Sequence, residues 1–149
     1  FKPGKILDIS GNQIGEHEGI INYTIGQRKG IKISNDKPLY VVNINAENNT
    51  IIAGTKEFLE ITEIKLRNLN LLGSEKDFNG LIKIKVRSTG RLLKAKIFIK
   101  DDNAKVEILD AETGISPGQA CVFYSKDDFG DKLLGGGWIH KTYNKNLST

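Results

Sequence analysis

Apolar and polar residues alternate with a period of two over most of the chain, which is the pattern of β-strands that bury one face. Short apolar segments such as "KILDI", "INYTI", "LYVVNI", "TIIAG" and "AKVEIL" are separated by turn-forming stretches that include "SGNQ", "NAENN" and "SPG". About a dozen short strands at this spacing are typical of a barrel or a sandwich rather than a βαβ protein. The sequence therefore predicts an all-β fold.

The segment "TKEFLEITEIKLRNLNLL" is ambiguous, because its charges would also suit a short helix. Its β-branched residues and the alternation in "ITEIKLRNL" favour a strand. The charge balance of the chain changes here. We therefore predict two domains, a small β-rich domain over residues 1–58 and a second β domain over residues 59–149.

The strongest alternation, in "LIKIKVR", predicts that Ile82, Ile84 and Val86 are buried and that the cations between them face outward. A turn at "STG" leads into "LLKAKIFIK", which predicts a returning strand with Ile97 and Ile99 buried. Residues 81–100 hold seven cations and no acid. Like charges side by side destabilise a sheet unless something compensates for them, and a nucleic-acid backbone would do so. A merely solvated face is the alternative.

A second acid-free stretch, "GIINYTIGQRKGIKIS", contains Arg28, Lys29 and Lys32 next to two glycines. Gly26 and Gly30 fit a tight turn as well as they fit a loop that receives phosphates. "LGGGWI" predicts a strand whose glycines allow a bulge or a close backbone approach, with Trp138 in the core.

Charge is unevenly distributed over the 149 residues. Residues 1–60 hold seven cations and seven acids, whereas residues 61–149 carry the whole net charge of +4. This imbalance indicates a polyanionic partner for the second part. The chain has no apolar run near the length of a transmembrane helix and no signal-peptide pattern, so we expect a soluble protein without a membrane partner.

Catalytic and metal-binding patterns are scarce. The chain has one cysteine and two histidines without metal-ligand spacing, and "GQRKG" is too short for a phosphate-cradling P-loop. Cys121 lies in "QACVFY", an apolar run that predicts a small core residue rather than an exposed thiolate. We predict no catalytic residue and no metal site here, and a single cysteine fits a reducing compartment such as the cytoplasm. The absence of methionine leads us to expect a piece of a longer protein.

Four motifs, "HEGIINYTIGQRKGI", "PLYVV", "ISPGQACVFY" and "LGGGWI", occur in an order and at separations that resemble the C-terminal half of the bacterial-type tRNA-specific 2-thiouridylases. The resemblance covers nearly the whole chain. It implies a small β-rich central domain followed by a six-stranded antiparallel β-barrel, and both would grip tRNA. An N-terminal domain upstream of Phe1 would use ATP with magnesium to adenylate the wobble uridine. A cysteine persulfide, supplied by a sulfur-donor protein (a cysteine desulfurase or a sulfur relay protein), would then deliver sulfur.

The resemblance also implies tRNA contacts. An Arg-Tyr pair of the family falls on Arg87 and Ser88, so that the tyrosine is replaced here, and a glutamine of the family falls on Gln119. With the two cation clusters, the predicted tRNA-binding residues are Arg87, Ser88, Gln119, Arg28, Lys29, Lys83 and Lys85. We expect Arg87 to matter most and Lys105, outside the hairpin, to matter much less.

Two other functions remain open at this point. A free-standing β-barrel like those of translation factors would bind a protein or a ribosomal partner. A small-ligand enzyme would use the glycine loops, although the sequence offers it no paired nucleophile and base.

Overall fold

A computed structural model describes residues 2–31, 33, 36–86, 90–127 and 130–147. Arg87 and Ser88, two of the predicted tRNA contacts, lie outside the described residues, as does Lys32. The described part is built from strands and three short 3₁₀ helices. The strands are β1 (Gly4–Leu7), β2 (Gln13–His17), β3 (Tyr40–Asn45), β4 (Thr50–Gly54), β5 (Ile61–Leu71), β6 (Leu81–Lys85), β7 (Leu93–Lys100), β8 (Asn103–Glu112), β9 (Ala120–Asp127) and β10 (Gly130–Tyr143). The 3₁₀ helices are Ile20–Asn22, Lys56–Leu59 and Glu75–Phe78.

The chain separates into two compact units, one ending at Glu60 and the other beginning at Ile61. This division falls close to the change in charge balance. The predicted domains 1–58 and 59–149 stay a prediction, because compactness alone does not show that a unit folds separately. In the described ranges, no helix has the length and apolar character needed to span a bilayer.

The first unit is a four-stranded sheet in the order β2-β1-β4-β3. All its pairs are antiparallel except β1 with β4, which is parallel. The hairpin of β3 and β4 forms around the polar loop "NAENN", as the alternation predicts. A small apolar core lies on one face of the sheet and consists of Ile6, Val41, Ile51 and Ala53.

The second unit is a closed barrel of six strands in the order β10-β5-β8-β7-β6-β9, and every neighbouring pair is antiparallel. Its interior holds one apolar cluster that includes Ile64, Ile84, Val106 and Phe123, each 0% exposed. Closure leaves no free sheet edge, which protects the strands from pairing with other chains. The predicted fold class, a β-rich domain followed by a six-stranded antiparallel barrel, is confirmed.

The glycines of "LGGGWI" allow close backbone approach within the barrel wall. A Cβ on Gly135 would lie 2.1 Å from the carbonyl oxygen of Asn70, and one on Gly136 would lie 2.6 Å from that of Cys121. The pairing registers of β10 shift between Leu133 and Gly135 and again between Gly136 and Trp138. The predicted bulge is therefore present, and β10 can bend along its 14 residues.

This bulge corrects the prediction for Trp138, which is 52% exposed and not part of the core. Simple alternation fails here because Leu134 and Gly135 are consecutive buried residues. The irregular register thus changes which residues of β10 face outward, and Trp138 follows on the outer surface.

The prediction for "INYTI" was also wrong. Ile20–Asn22 forms a 3₁₀ turn, in which Asn22 donates a backbone hydrogen bond to Gly19 and Tyr23 donates one to Ile20. These local bonds use backbone groups that a strand would need for a neighbour. Ile25 is 57% exposed and so has no buried face to occupy.

In the ambiguous segment, the predicted strand is present as β5, but a 3₁₀ turn over Lys56–Leu59 precedes it. On the basic hairpin, Ile82, Ile84 and Ile97 are buried as predicted. Val86 is only half-buried and Ile99 is 38% exposed. Val86 follows the last residue of β6 and packs against the edge of the barrel core, and Ile99 is the second-last residue of β7.

Candidate nucleic-acid interface

The basic hairpin is formed by β6 and β7, whose alternation directs cations to the outside of the barrel. Lys83 lies directly opposite Lys94, so two ammonium groups are cross-strand neighbours. Lys83 and Lys85 are half-exposed, while Lys94 and Lys96 are exposed. We call these four lysines the hairpin face. Their placement together is the like-charge surface that the sequence predicts.

Carboxylates from other strands partly compensate for this charge, which no sequence window could reveal. The Nζ atom of Lys83 lies 4.0 Å from Oδ1 of Asp131 on β10. Arg91, before β7, pairs with Glu112 of β8 at 3.1 Å. Across the β7–β8 ladder, Lys96 is opposite a glutamate of β8. The hairpin face therefore retains its positive charge mainly at Lys85 and Lys94, which form no ion pair within the described part of the chain.

Gln119 is held in the turn that leads into β9. Its side-chain oxygen accepts a hydrogen bond from the backbone of Ser116 at 3.1 Å, and its side-chain nitrogen donates one to the carbonyl of Gly114 at 3.2 Å. Its backbone also pairs with Ile139. On the adjoining strand Lys85 is opposite Val122, so Gln119 lies near the end of the hairpin face. Part of its amide is already used to order the turn, and its contact with tRNA stays a prediction.

The loop that carries Arg28 and Lys29 is closed by the side chain of Gln27. Its oxygen accepts a bond from the backbone of Thr24 at 3.0 Å, and its nitrogen donates to the carbonyl of Lys29 at 2.6 Å. Gly26 and Gly30 have φ values of 94° and 88°, so both glycines make tight turns. Arg28 and Lys29 are exposed on this ordered loop.

The side chain of Gln27 also lies beside Gly30 in this loop. A Cβ at Gly30 would lie 3.2 Å from the side-chain nitrogen of Gln27, which shows that this amide fills the space beside the glycine. The use of ATP with magnesium by an N-terminal domain stays a prediction. Among the described residues, no group of three or more His, Cys, Asp and Glu side chains is arranged to hold a metal ion.

Cys121 is fully buried in the barrel, and burial raises the pKa of its thiol to about 12. The thiol is thus protonated at neutral pH, whereas a sulfur-carrying cysteine reacts as the thiolate. Its predicted assignment to the core is confirmed.

The barrel has a second cationic surface that the sequence analysis missed. A groove of about 560 Å³ lies on the outer side of β5, β7, β8 and β10, and none of the described residues that line it is an aspartate or a glutamate. Its lining includes Lys65, Arg67, Lys100, Lys105 and His140. Because these residues come from four strands, no window of the sequence holds the cluster. The visible signal was the alternation in β5 and β8, which placed lysines outward on both.

The positive charge of the groove affects the pKa of His140. Its pKa is lowered, first by the positive charge of Arg67, then by partial desolvation, and then by Lys141 and Lys65. A neutral imidazole here adds no further charge at neutral pH. An anion that entered the groove would meet a positive potential, which Glu107 reduces only at Lys105.

The two units correspond to two known domain families. Residues 1–55 match the family model of the tRNA methyl transferase PRC-barrel domain, and residues 61–139 match that of the aminomethyltransferase β-barrel domain. Relatives similar to the chain are named tRNA-specific 2-thiouridylase MnmA. The protein of Maricaulis maris is 45% identical over 95% of the chain, that of Rickettsia typhi 45% over 91%, and that of Bartonella bacilliformis 41% over 92%.

The chain belongs to the tRNA-specific 2-thiouridylase family. It spans between 35% and 38% of the length of these three relatives. The family resemblance given by the four sequence motifs is thereby confirmed. For this member of the 2-thiouridylase family, the individual contacts to tRNA at Arg87, Ser88, Gln119, Arg28, Lys29, Lys83 and Lys85 stay predictions.

Proposed function

We propose that this chain is the tRNA-binding part of a tRNA-specific 2-thiouridylase. The full-length enzyme would install 2-thiouridine at the wobble position in the cytoplasm, using ATP with magnesium and persulfide sulfur from a donor protein. The name of the relatives states that they act on tRNA, and their similarity extends over more than nine-tenths of the chain. The observation that carries the binding role is the hairpin face, on which Lys83 and Lys94 are held as direct neighbours.

The physical argument is electrostatic. The cross-strand pair of lysines is unfavourable in the free protein, and Asp131 offsets it only at a distance of 4.0 Å. A row of phosphates supplies the missing negative charge and releases its own counterions, which makes binding favourable and dependent on salt. Gln119 would add a directional contact near the end of this face, and the family resemblance assigns further tRNA contacts to Arg87 and Ser88. Arg28 and Lys29 would contribute charge from the first unit.

The role is tested by measuring binding of unmodified tRNA to single variants. Lys85→Ala and Lys94→Ala should each weaken binding several-fold, and Arg87→Ala should weaken it most. Lys76→Ala is the matched control, because Lys76 is an exposed lysine of the same unit on the 3₁₀ helix Glu75–Phe78. Lys105, the control suggested by the sequence, is unsuitable because it lines the second cationic groove.

Equal losses for Lys85→Ala and Lys76→Ala would contradict the proposal, since the hairpin face would then be only solvated. Binding of a protein partner without any binding of tRNA would favour the free-standing barrel instead. The chain alone should not hydrolyse ATP, because its sequence holds no P-loop, and it should not transfer sulfur, because its one thiol is buried and protonated. Sulfur transfer by the isolated chain would contradict the assignment of catalysis to another domain.

A further inference from the structure

The outer surface of β10, β5, β8 and β7 is ordered into two transverse rows by the strand registers. The first row runs Lys141, Lys65, Lys105 and Phe98, each residue being the register partner of the next. The second row runs Trp138, Arg67, Asn103 and Lys100. All eight residues are exposed. We call this surface the transverse strip. Strand spacing makes it about 14 Å long, and the rows are about 7 Å apart.

The strip combines cations with aromatic rings at its two ends. Phe98 is 49% exposed and Trp138 is 52% exposed, so both rings are accessible to a ligand. The ammonium of Lys105 lies 5.0 Å from the centre of the Phe98 ring. One face of that ring is thus held by a cation. Exposed aromatic side chains beside cations are the arrangement on which unpaired bases stack while their phosphates are neutralised.

The positive charge of the strip is flanked by acidic residues on both sides. Lys65, Arg67, Lys100 and Lys141 form no ion pair in the described part of the chain. The adjacent row contains Glu63 opposite Glu107, and Glu107 lies 3.5 Å from the ammonium of Lys105. On the other side, Asp101 and Asp102 form the turn between β7 and β8. A polyanion is therefore favoured along the strip and disfavoured across its borders.

We infer that the transverse strip binds a single-stranded segment of RNA, with bases stacked on Phe98 and Trp138 and phosphates paired with Lys65, Arg67, Lys100 and Lys141. The strip is distinct from the hairpin face, although β7 contributes to both. The inference rests on the proposed function in that it assigns the barrel a preference for unpaired nucleotides beside its general attraction for tRNA. It adds a source of affinity that does not depend on salt.

Trp138 makes the test direct, because it is the only tryptophan of the chain. The chain is titrated with oligouridylate of about ten nucleotides, within the usual length range of single-strand sites, and tryptophan emission is recorded. Emission should be quenched on binding. Phe98→Ala should lower the affinity about 5- to 150-fold, the range that a lost base stack gives, with little change in the salt dependence. Lys65→Ala should instead reduce the salt slope by about 0.7.

Matched variants separate stacking from charge. Phe98→Tyr keeps an aromatic ring and should bind like the wild type, whereas Phe98→Leu keeps an apolar side chain and should bind as weakly as Phe98→Ala. Lys76→Ala should have no effect. Thermal unfolding of each variant controls for folding, and the exposure of Phe98 predicts small changes in melting temperature.

Unchanged tryptophan emission at saturating oligouridylate would overturn the inference. So would equal quenching by duplex RNA of the same length, equal displacement by polyglutamate, or wild-type affinity in Phe98→Leu. If tRNA binds through the hairpin face while oligouridylate leaves Trp138 unaffected, this inference fails and the proposed function survives. If oligouridylate binds the strip but tRNA does not bind the chain, the proposed function fails and the strip remains.

Discussion

The two cationic surfaces of the barrel differ in where their charge comes from. The hairpin face is contiguous in sequence, with Lys83 and Lys85 on β6 and Lys94 and Lys96 on β7. The transverse strip takes its charges from four strands. Each surface has one lysine close to an acid: Lys83 of the hairpin face lies 4.0 Å from Asp131, and Lys105 of the strip lies 3.5 Å from Glu107. In a closed barrel, a cationic surface can therefore form from residues that strand pairing brings together, even when they are far apart in the sequence.

The largest predicted effect is the loss of barrel stability when the pairing of β10 with β5 is disrupted. The transverse strip depends on this pairing. Gly135→Ala places a Cβ 2.1 Å from the carbonyl oxygen of Asn70 at a φ of 129°. We expect it to destabilise the barrel by about 3 kcal/mol or more, because backbone must move on both strands. The melting temperature should fall by on the order of 12 °C or more, as measured by circular dichroism.

Gly130→Ala is the matched control for this change. Gly130 is on the same strand with the same φ of 129°, but a Cβ there meets no described atom within 4 Å. It should cost only about 1 to 2 kcal/mol, the strain of the backbone conformation alone. Equal losses for the two variants would show that the close approach at Gly135 contributes nothing.

A smaller effect is expected from the barrel interior beneath both surfaces. Cys121→Ala removes one buried sulfur and should cost about 1 kcal/mol of stability. It should leave the affinity for tRNA and for oligouridylate unchanged, because neither surface uses the thiol. Isothermal titration calorimetry of both ligands checks this, and a selective loss at one surface would contradict the assignment of Cys121 to the core.

Removing the acid that partly neutralises the hairpin face should affect ligand binding at that face and not at the strip. Asp131→Asn should raise the affinity for tRNA about two- to five-fold, since one competing carboxylate disappears. It should leave oligouridylate binding at the strip unchanged. Stability should change by less than about 1 kcal/mol, because Lys83 and Asp131 form a loose and exposed pair. A fall in tRNA affinity, measured by filter binding, would contradict this account of the hairpin face.

The smallest effect is a shift in the titration of His140. Its pKa is lowered in the free chain, mainly by the cation of Arg67. Phosphates placed among these cations favour the protonated imidazole, so bound oligouridylate should raise this pKa. Proton-detected NMR of the His140 imidazole signals measures this pKa in the free chain and in the complex. A pKa that stays the same or falls on binding would mean that the phosphates lie elsewhere.

The sequence was sufficient for features that depend on regular alternation. The two strands of the basic hairpin, the β3–β4 hairpin and the burial of Ile84 follow from a period of two. It was insufficient wherever the period is interrupted. The glycine bulge moves Trp138 outward, local hydrogen bonds convert "INYTI" into a turn, and the end of β7 exposes Ile99.

The candidate site also has features that the sequence could predict and features that it could not. Cations on neighbouring strands joined by a short connection could be predicted, and so the hairpin face was expected. The acids that neutralise it and the strip that lies beside it depend on long-range strand order. Lys65 and Lys105 are 40 positions apart in the chain and become direct neighbours only when β5 pairs with β8.

The most direct test of the central claim, that the barrel binds tRNA through phosphates, is the salt dependence of binding. Affinity for unmodified tRNA is measured from low to physiological salt for the wild-type chain and for Arg87→Ala. With about four phosphate contacts, the logarithm of the affinity should fall against the logarithm of salt with a slope of roughly −3 to −4 or steeper. Arg87→Ala should reduce the slope by nearly one. A slope near zero would contradict the account, because the cations of the barrel would then be only solvated.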